Sequence, residues 1–167
     1  MKIRNGFVSN SSSSNFVVAF PAVPKSTEDV KNLLFGEAEI WPIHRGVIDV
    51  QILTSQLAEI IWADIQAQIA NNKRSILKAI DEGWFDGAPQ YNEHRFRKEG
   101  DDKEIDWDKY GKERNAVAKQ IRDKFLKDNP NSFVYVFEYG DNDGDTFVVL
   151  EHEEVFSALP YLRISCH

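Results

Sequence analysis

The chain has 167 residues, 42% of them apolar, with 20 Lys and Arg against 27 Asp and Glu and a single cysteine. That length and apolar content suit one domain with a hydrophobic core. A lone Cys166 excludes an intramolecular disulfide and a paired-cysteine zinc site, so nothing calls for an oxidising compartment and a cytoplasmic location is expected. No stretch approaches the roughly 20 apolar residues that span a bilayer, and Lys2 and Arg4 are not followed by a signal-peptide core, so neither membrane nor secretion is expected.

The net charge of −7 argues against direct nucleic-acid binding, which needs a positive surface to meet phosphate. Its distribution says more. From Asp128 to Leu162 the chain carries eight acids and no Lys or Arg, a local charge of −8, while the remainder sums to +1.

In chain order, a Ser-rich segment over residues 1–15, with Ser11, Ser12, Ser13 and Ser14 at its centre, has nothing to bury and reads as flexible. A single domain follows over 16–167. Phe16-Val17-Val18-Ala19-Phe20, stopped by Pro21, predicts a buried strand. Ser26 or Thr27 caps a short helix through Leu34, with Gly36 beyond it. Residues 38–53, rich in Ile and Val but broken by Pro42 and Gly46, predict one or two short extended pieces.

Thr54 or Ser55 then caps a helix whose apolar stripe is Leu57, Ile60, Ile61, Ile65 and Ile69, with Asn71-Asn72 at its end. A further helix places Ile76, Leu77 and Ile80 inward and stops at Gly83. Residues 84–106 mix charges and breakers and read as a loop or insertion. Asp106 caps a long helix to about Lys127, with Tyr110, Val117, Ile121 and Phe125 inward and Asn129-Pro130-Asn131 as its terminator. The period then changes to two. Phe133 to Tyr139, an Asp143-Gly144 turn and Phe147 to Leu150 predict a β-hairpin whose parity sets His152 beside the aromatics. Pro160 precedes a last extended piece, Tyr161 to Ser165.

Asp141, Asp143 and Asp145 form the strongest chemical candidate, because alternating carboxylates in a tight turn can converge on a divalent cation such as calcium or magnesium. They fail the full calcium-loop pattern, since counting from Asp141 the sixth and twelfth positions hold Thr146 and His152 where Gly and an acid are needed. Asp and Gly are also what a hairpin turn prefers for its own conformation. His152 with Glu151, Glu153 and Glu154 could extend the metal set or act as a base. The histidines His44, His94, His152 and His167 are otherwise scattered, and no phosphate-cradling glycine motif or nucleophile elbow occurs. Trp84, Trp107, Tyr91 and Phe96 beside Arg95, Arg97 and Lys98 suggest base stacking, but acidic neighbours cancel the attraction and a core or interface role is the simpler one. The serine run is either a loose tail or a recognised or modified tag.

Two stretches carry a resemblance. NGFVSNSSSSNF at Asn5 to Phe16 is similar to the NGFVSNSSSSSF-type opening of uncharacterised bacteriophage and bacterial proteins. GDNDGD at Gly140 to Asp145 and EHEEVFSALPYLRISCH at Glu151 to His167 resemble a tail found on some of the same proteins. Asn15 stands in place of a serine and Cys166 in place of a histidine. The resemblance implies a phage or prophage origin and brings no catalytic residue with it.

The expected fold is α+β: a small, mostly antiparallel sheet of the N-terminal strand and the C-terminal hairpin, with three or four helices on one face. The expected function is binding without catalysis. The acidic hairpin (Asp141, Asp143, Asp145, Glu151, Glu153, Glu154) would meet a protein partner with a basic surface in the host or virion, and Ser11 to Ser14 would form a second binding element. The alternatives are a metal-dependent hydrolase or modifying enzyme built on Asp141, Asp143, Asp145 and His152, and a virion or assembly component whose serine segment orders on a neighbour.

Overall fold

Phe16 to Phe20 is apolar at every position, which suits a strand covered on both faces. In the computed structural model, which describes residues 13–42, 51–85, 87–99, 101–140 and 144–166, this run is the heart of β1 (Ser13–Phe20). β1 is the central strand of a three-stranded antiparallel sheet. On one side lies β6 (Phe133–Gly140), in the register Phe16↔Phe137, and on the other β7 (Tyr161–Cys166), in the register Phe16↔Arg163. The strand starts three residues before the domain boundary expected from composition. Ser13, Ser14 and Asn15 are polar, yet their backbones pair on both sides, and the Asn15 amide donates to Ala79 O at 3.0 Å.

Both faces of the sheet are covered, rather than the single face expected. Phe16, Val18 and Phe20 face one core with Tyr135, Phe137 and Tyr139. There they meet α1 (Thr27–Phe35), α2 (Thr54–Gln66) and α5 (Asp145–His152). Val17 and Ala19 face a second core with Val134 and Ile164, closed by α3 (Lys73–Glu82) and α4 (Trp107–Asp128). The alternation of β1 side chains across the sheet feeds both cores, and the α+β class with a small antiparallel sheet stands.

The helix signals act largely as the local chemistry requires. Ser26 accepts from Asp29 N–H at the start of α1, Asn72 from Arg74 and Ser75 N–H at the start of α3, and Asp106 from Lys109 N–H at the start of α4, each satisfying an orphan donor of the first turn. α2 differs. Its capping position is Leu53, the Gln56 side chain accepts from Leu53 N–H, and Thr54 donates its hydroxyl to Ala38 O instead of capping. α2 also ends before Ile69, which is 78% exposed, so the apolar stripe stops at Ile65.

Two minor sheets complete the described residues. β2 (Ile40–Trp41) pairs with β3 (Ile52–Leu53), and β4 (Arg97–Lys98) with β5 (Asp101–Ile105) after a 3-10 turn at His94–Phe96. The stretch expected as a loop thus contains a small hairpin, anchored by the fully buried Phe96 against Tyr110.

Candidate functional site

β6 carries the acidic stretch of the chain into the structure, and its outer edge is already occupied at Val134 and Val136. Val134 N–H donates to Asn71 Oδ1 and Asn71 N–H to Val134 O. Val136 N–H donates to Gln68 Oε1 while Gln68 Nε2 donates to Val136 O, all at 2.8–2.9 Å. Two residues of the α2–α3 connection thus take the outward hydrogen-bonding positions at Val134 and Val136. The expected strand over Phe147 to Leu150 is instead a helix, α5, and the hairpin reading is corrected. A run of four apolar residues does not distinguish helix from strand by period. Gly144, at φ 106°, precedes Asp145 in the first turn, and Val149 and Leu150 bury against the aromatic core.

The helix redistributes the candidate residues. Asp141 and Asp143 lie outside the described residues, as do Ser11 and Ser12. Asp145 is exposed at the start of α5 and His152 closes its end, a separation of about 10 Å along the axis at the helical rise, so the structure does not bring these two together. His152 lies instead with its Nε2 3.4 Å from Glu151 Oε2. Glu151, expected on the surface, is 1% exposed, and neither of its carboxylate oxygens accepts a hydrogen bond from a described residue. Glu153 is half-buried and Glu154 exposed. Among the described residues no three His, Cys, Asp or Glu side chains are grouped to hold a metal ion.

The described serines belong to the sheet. Ser13 donates its hydroxyl to Cys166 O, and Ser14, fully buried, accepts at 3.4 Å from both Nε and Nη2 of Arg163. Burial raises the Cys166 thiol, partly opposed by the Asn15 backbone N–H.

One polar pair in the core was not expected from sequence. The Tyr139 hydroxyl donates to Asp64 Oδ2 at 2.9 Å. Burial, with the Asp64 charge beside it, raises Tyr139 well above its ordinary value of 10.0. Burial also raises Asp64, partly opposed by the Tyr139 bond. The unfolded chain therefore releases the Tyr139 proton near pH 10.0 while the native chain keeps it. Stability contributed by neutral Tyr139 is complete below that pH and is lost above it, at about 1.4 kcal/mol per pH unit. Urea unfolding on either side of this pH should show that decline. Tyr139→Phe should flatten it, at a cost of about 1 kcal/mol at neutral pH for the lost hydrogen bond.

A cleft of about 430 Å³ opens where Trp84 and Phe85, Ile121 of α4, and Leu162, Arg163 and Ile164 of β7 meet. Gly83 makes this junction possible. A Cβ there would lie 2.3 Å from Ile164 Cγ2 and 2.8 Å from Ser165 O, closer than packed atoms approach. Gly83 followed by an aromatic was the one local signal in the sequence for this close contact. Among the described residues no helix is long and apolar enough to cross a membrane. Comparison of the chain with protein-family models, with curated proteins and with solved structures gives no match.

Proposed function

We propose that the protein is a phage-type binding protein without catalytic activity, whose acidic stretch from Asp128 to Leu162 meets a partner with a basic surface. The observation that carries this reading is that the described acids of the stretch beyond Asp128, apart from the buried Glu151, reach the surface without an ion pair to another described residue. Glu138, Asp145 and Glu154 are exposed and Glu153 is half-buried. None of the four forms an ion pair with another described residue, whereas Asp128 pairs with Lys124. No Lys or Arg occurs in the stretch to cancel them. Such a field speeds encounter with a positive surface and weakens as salt screens it. The resemblance of both ends of the chain to phage proteins supports the setting.

The probe is a fluorescent decalysine peptide, titrated at low and high salt against the native chain and the Asp141→Asn, Asp143→Asn, Asp145→Asn triple variant. The expected result is binding that weakens as salt rises and falls roughly tenfold in the variant, the loss of about 1.4 kcal/mol of charge pairing. Binding indifferent to salt, or unchanged in the triple variant, would overturn the reading.

A further inference from the structure

The geometry points to a second binding surface of opposite preference: the outer edge of β7 as a strand-addition site for an extended peptide that sets an acidic residue opposite Arg163 and an apolar one opposite Leu162.

Two hydrogen bonds fix which backbone groups of β7 point outward. On its inner side Ala19 N–H donates to Pro160 O at 2.9 Å, and from outside Trp84 N–H donates to Ser165 O at 2.7 Å. Backbone groups of an antiparallel strand alternate in the side to which they point. Those of Tyr161 and Arg163 therefore point outward with those of Ser165. The contact of Trp84 with Ser165 is an isolated antiparallel bridge. It begins a fourth strand and stops, because Ala88 N–H turns back to Phe85 O. β6 is the opposite case, since there Gln68 and Asn71 fill the outer positions at Val134 and Val136.

Side chains on the two faces then define the occupant. Leu162 and Ile164 lie on the face of the second core and form the floor of the cleft with Ile121, while Trp84, 47% exposed, stands at one end. A residue paired with Leu162 would point into this cleft and is apolar. Arg163 lies on the opposite face, its guanidinium carbon 5.9 Å from the centre of the Phe16 ring. It is exposed, and no carboxylate among the described residues pairs with it. The residue opposite Arg163 is therefore acidic, since opposite charges across a strand pair attract and like charges repel. A second copy of the chain fits this preference poorly, because two β7 edges joined symmetrically about Leu162, Arg163 or Ile164 would set Tyr161, Arg163 or Ser165 opposite Arg163 and never a carboxylate. Main-chain bonds supply affinity in this mode and alternate side chains supply the choice of ligand.

The test uses the full chain, isotopically labelled, and two capped synthetic peptides of sequence Thr-Val-Glu-Val-Thr and Thr-Val-Lys-Val-Thr. The expected result is roughly tenfold tighter binding of the glutamate peptide, with amide shifts at Tyr161 to Arg163 and a shift of the Trp84 indole. Arg163→Glu should reverse the preference. Arg163→Gln, which keeps a hydrogen-bonding side chain without its charge, should abolish it. Equal binding of both peptides by the native chain, or shifts confined to Asp145 and Glu154, would overturn the proposal. Concentration-dependent self-association producing the same shifts without peptide would overturn the assignment to a foreign strand. The decalysine titration reads the acidic stretch, so either surface can fail without the other.

Discussion

Phe156→Ala is expected to destabilise the fold by about 3–5 kcal/mol, the cost of truncating a buried aromatic whose surroundings relax only partly. Phe156 is fully buried. Its ring centre lies 5.2 Å from that of Phe16 on β1 and 5.0 Å from that of Phe137 on β6, and it stacks on Tyr139 at an interplanar angle of 11°. The side chain sits in the turn between α5 and β7, where Ser157 N–H donates to Glu154 O and Leu159 N–H to Phe156 O. One ring therefore ties the two longest strands to the connection that returns the chain to β7. Against the roughly 5–15 kcal/mol typical of a domain, its loss removes about a fifth of the total or more. Denaturant unfolding should show a lower midpoint with an unchanged slope. A shift worth less than about 1 kcal/mol would mean that the aromatic cluster repacks around the vacancy.

Arg114→Met is expected to cost about 2–4 kcal/mol, for a reason that area does not capture. The guanidinium reaches from α4 to the end of α3. Its Nε and Nη2 donate to Asp81 O at 2.9 and 2.7 Å, Nη2 also donates to Gly83 O, and Nη1 donates to the Tyr110 hydroxyl at 3.2 Å. It lies 3.6 Å from Asp81 Oδ1 and 5.1 Å over the Phe85 ring, with only 14% of its side chain exposed. A cation at a helix C-terminus answers both the orphan carbonyls and the negative end of the dipole. Methionine keeps the apolar stem but leaves those carbonyls without a donor. Lysine retains the charge without the fork, so Arg114→Lys should recover less than half of the loss. Thermal unfolding of the three chains in parallel checks this, and equal stability of the native protein and the Arg114→Lys variant would show that charge alone suffices.

Legibility in the sequence divides along the range of the forces involved. Features set within a few residues could be read: the Phe16 to Phe20 run as a buried strand, the caps at Ser26 and Asp106, the stripe Leu57, Ile61, Ile65, and the stop at Asn129-Pro130. Features set across the chain could not. Phe147 to Leu150 has the β-branched content of a strand, yet it is helical, and what its turn buries, Val149 and Leu150, packs on an aromatic core drawn from β1 and β6. Ser13 and Ser14 look like the end of a loose tail until β6 and β7 pair with their backbones. Glu151 looks like one more surface acid in a run of them, yet the turn of α5 that buries Leu150 carries it inward as well.

The candidate surfaces divide in the same way. The charge asymmetry of the Asp128 to Leu162 stretch is countable in the sequence, although which of its acids reach the surface is not. The β7 edge was invisible there, since Trp84 and Arg163 are brought together only by the isolated bridge at Ser165 and by the absence of a side chain at Gly83.

The amide clamps on β6 bear on assembly. A sheet polymerises only if each added strand exposes a fresh acceptor edge and the parent molecule offers both a donor and an acceptor side. Here Gln68 and Asn71 stand in for a neighbouring strand along Val134 and Val136, and the next outward position on β6 is the charged Glu138. Growth from that side is blocked without a covering helix or a proline. The described sheet is left with one unclamped edge, at β7, so copies of the molecule cannot add edge to edge in series through both sides of the sheet, as the seed of a fibre must.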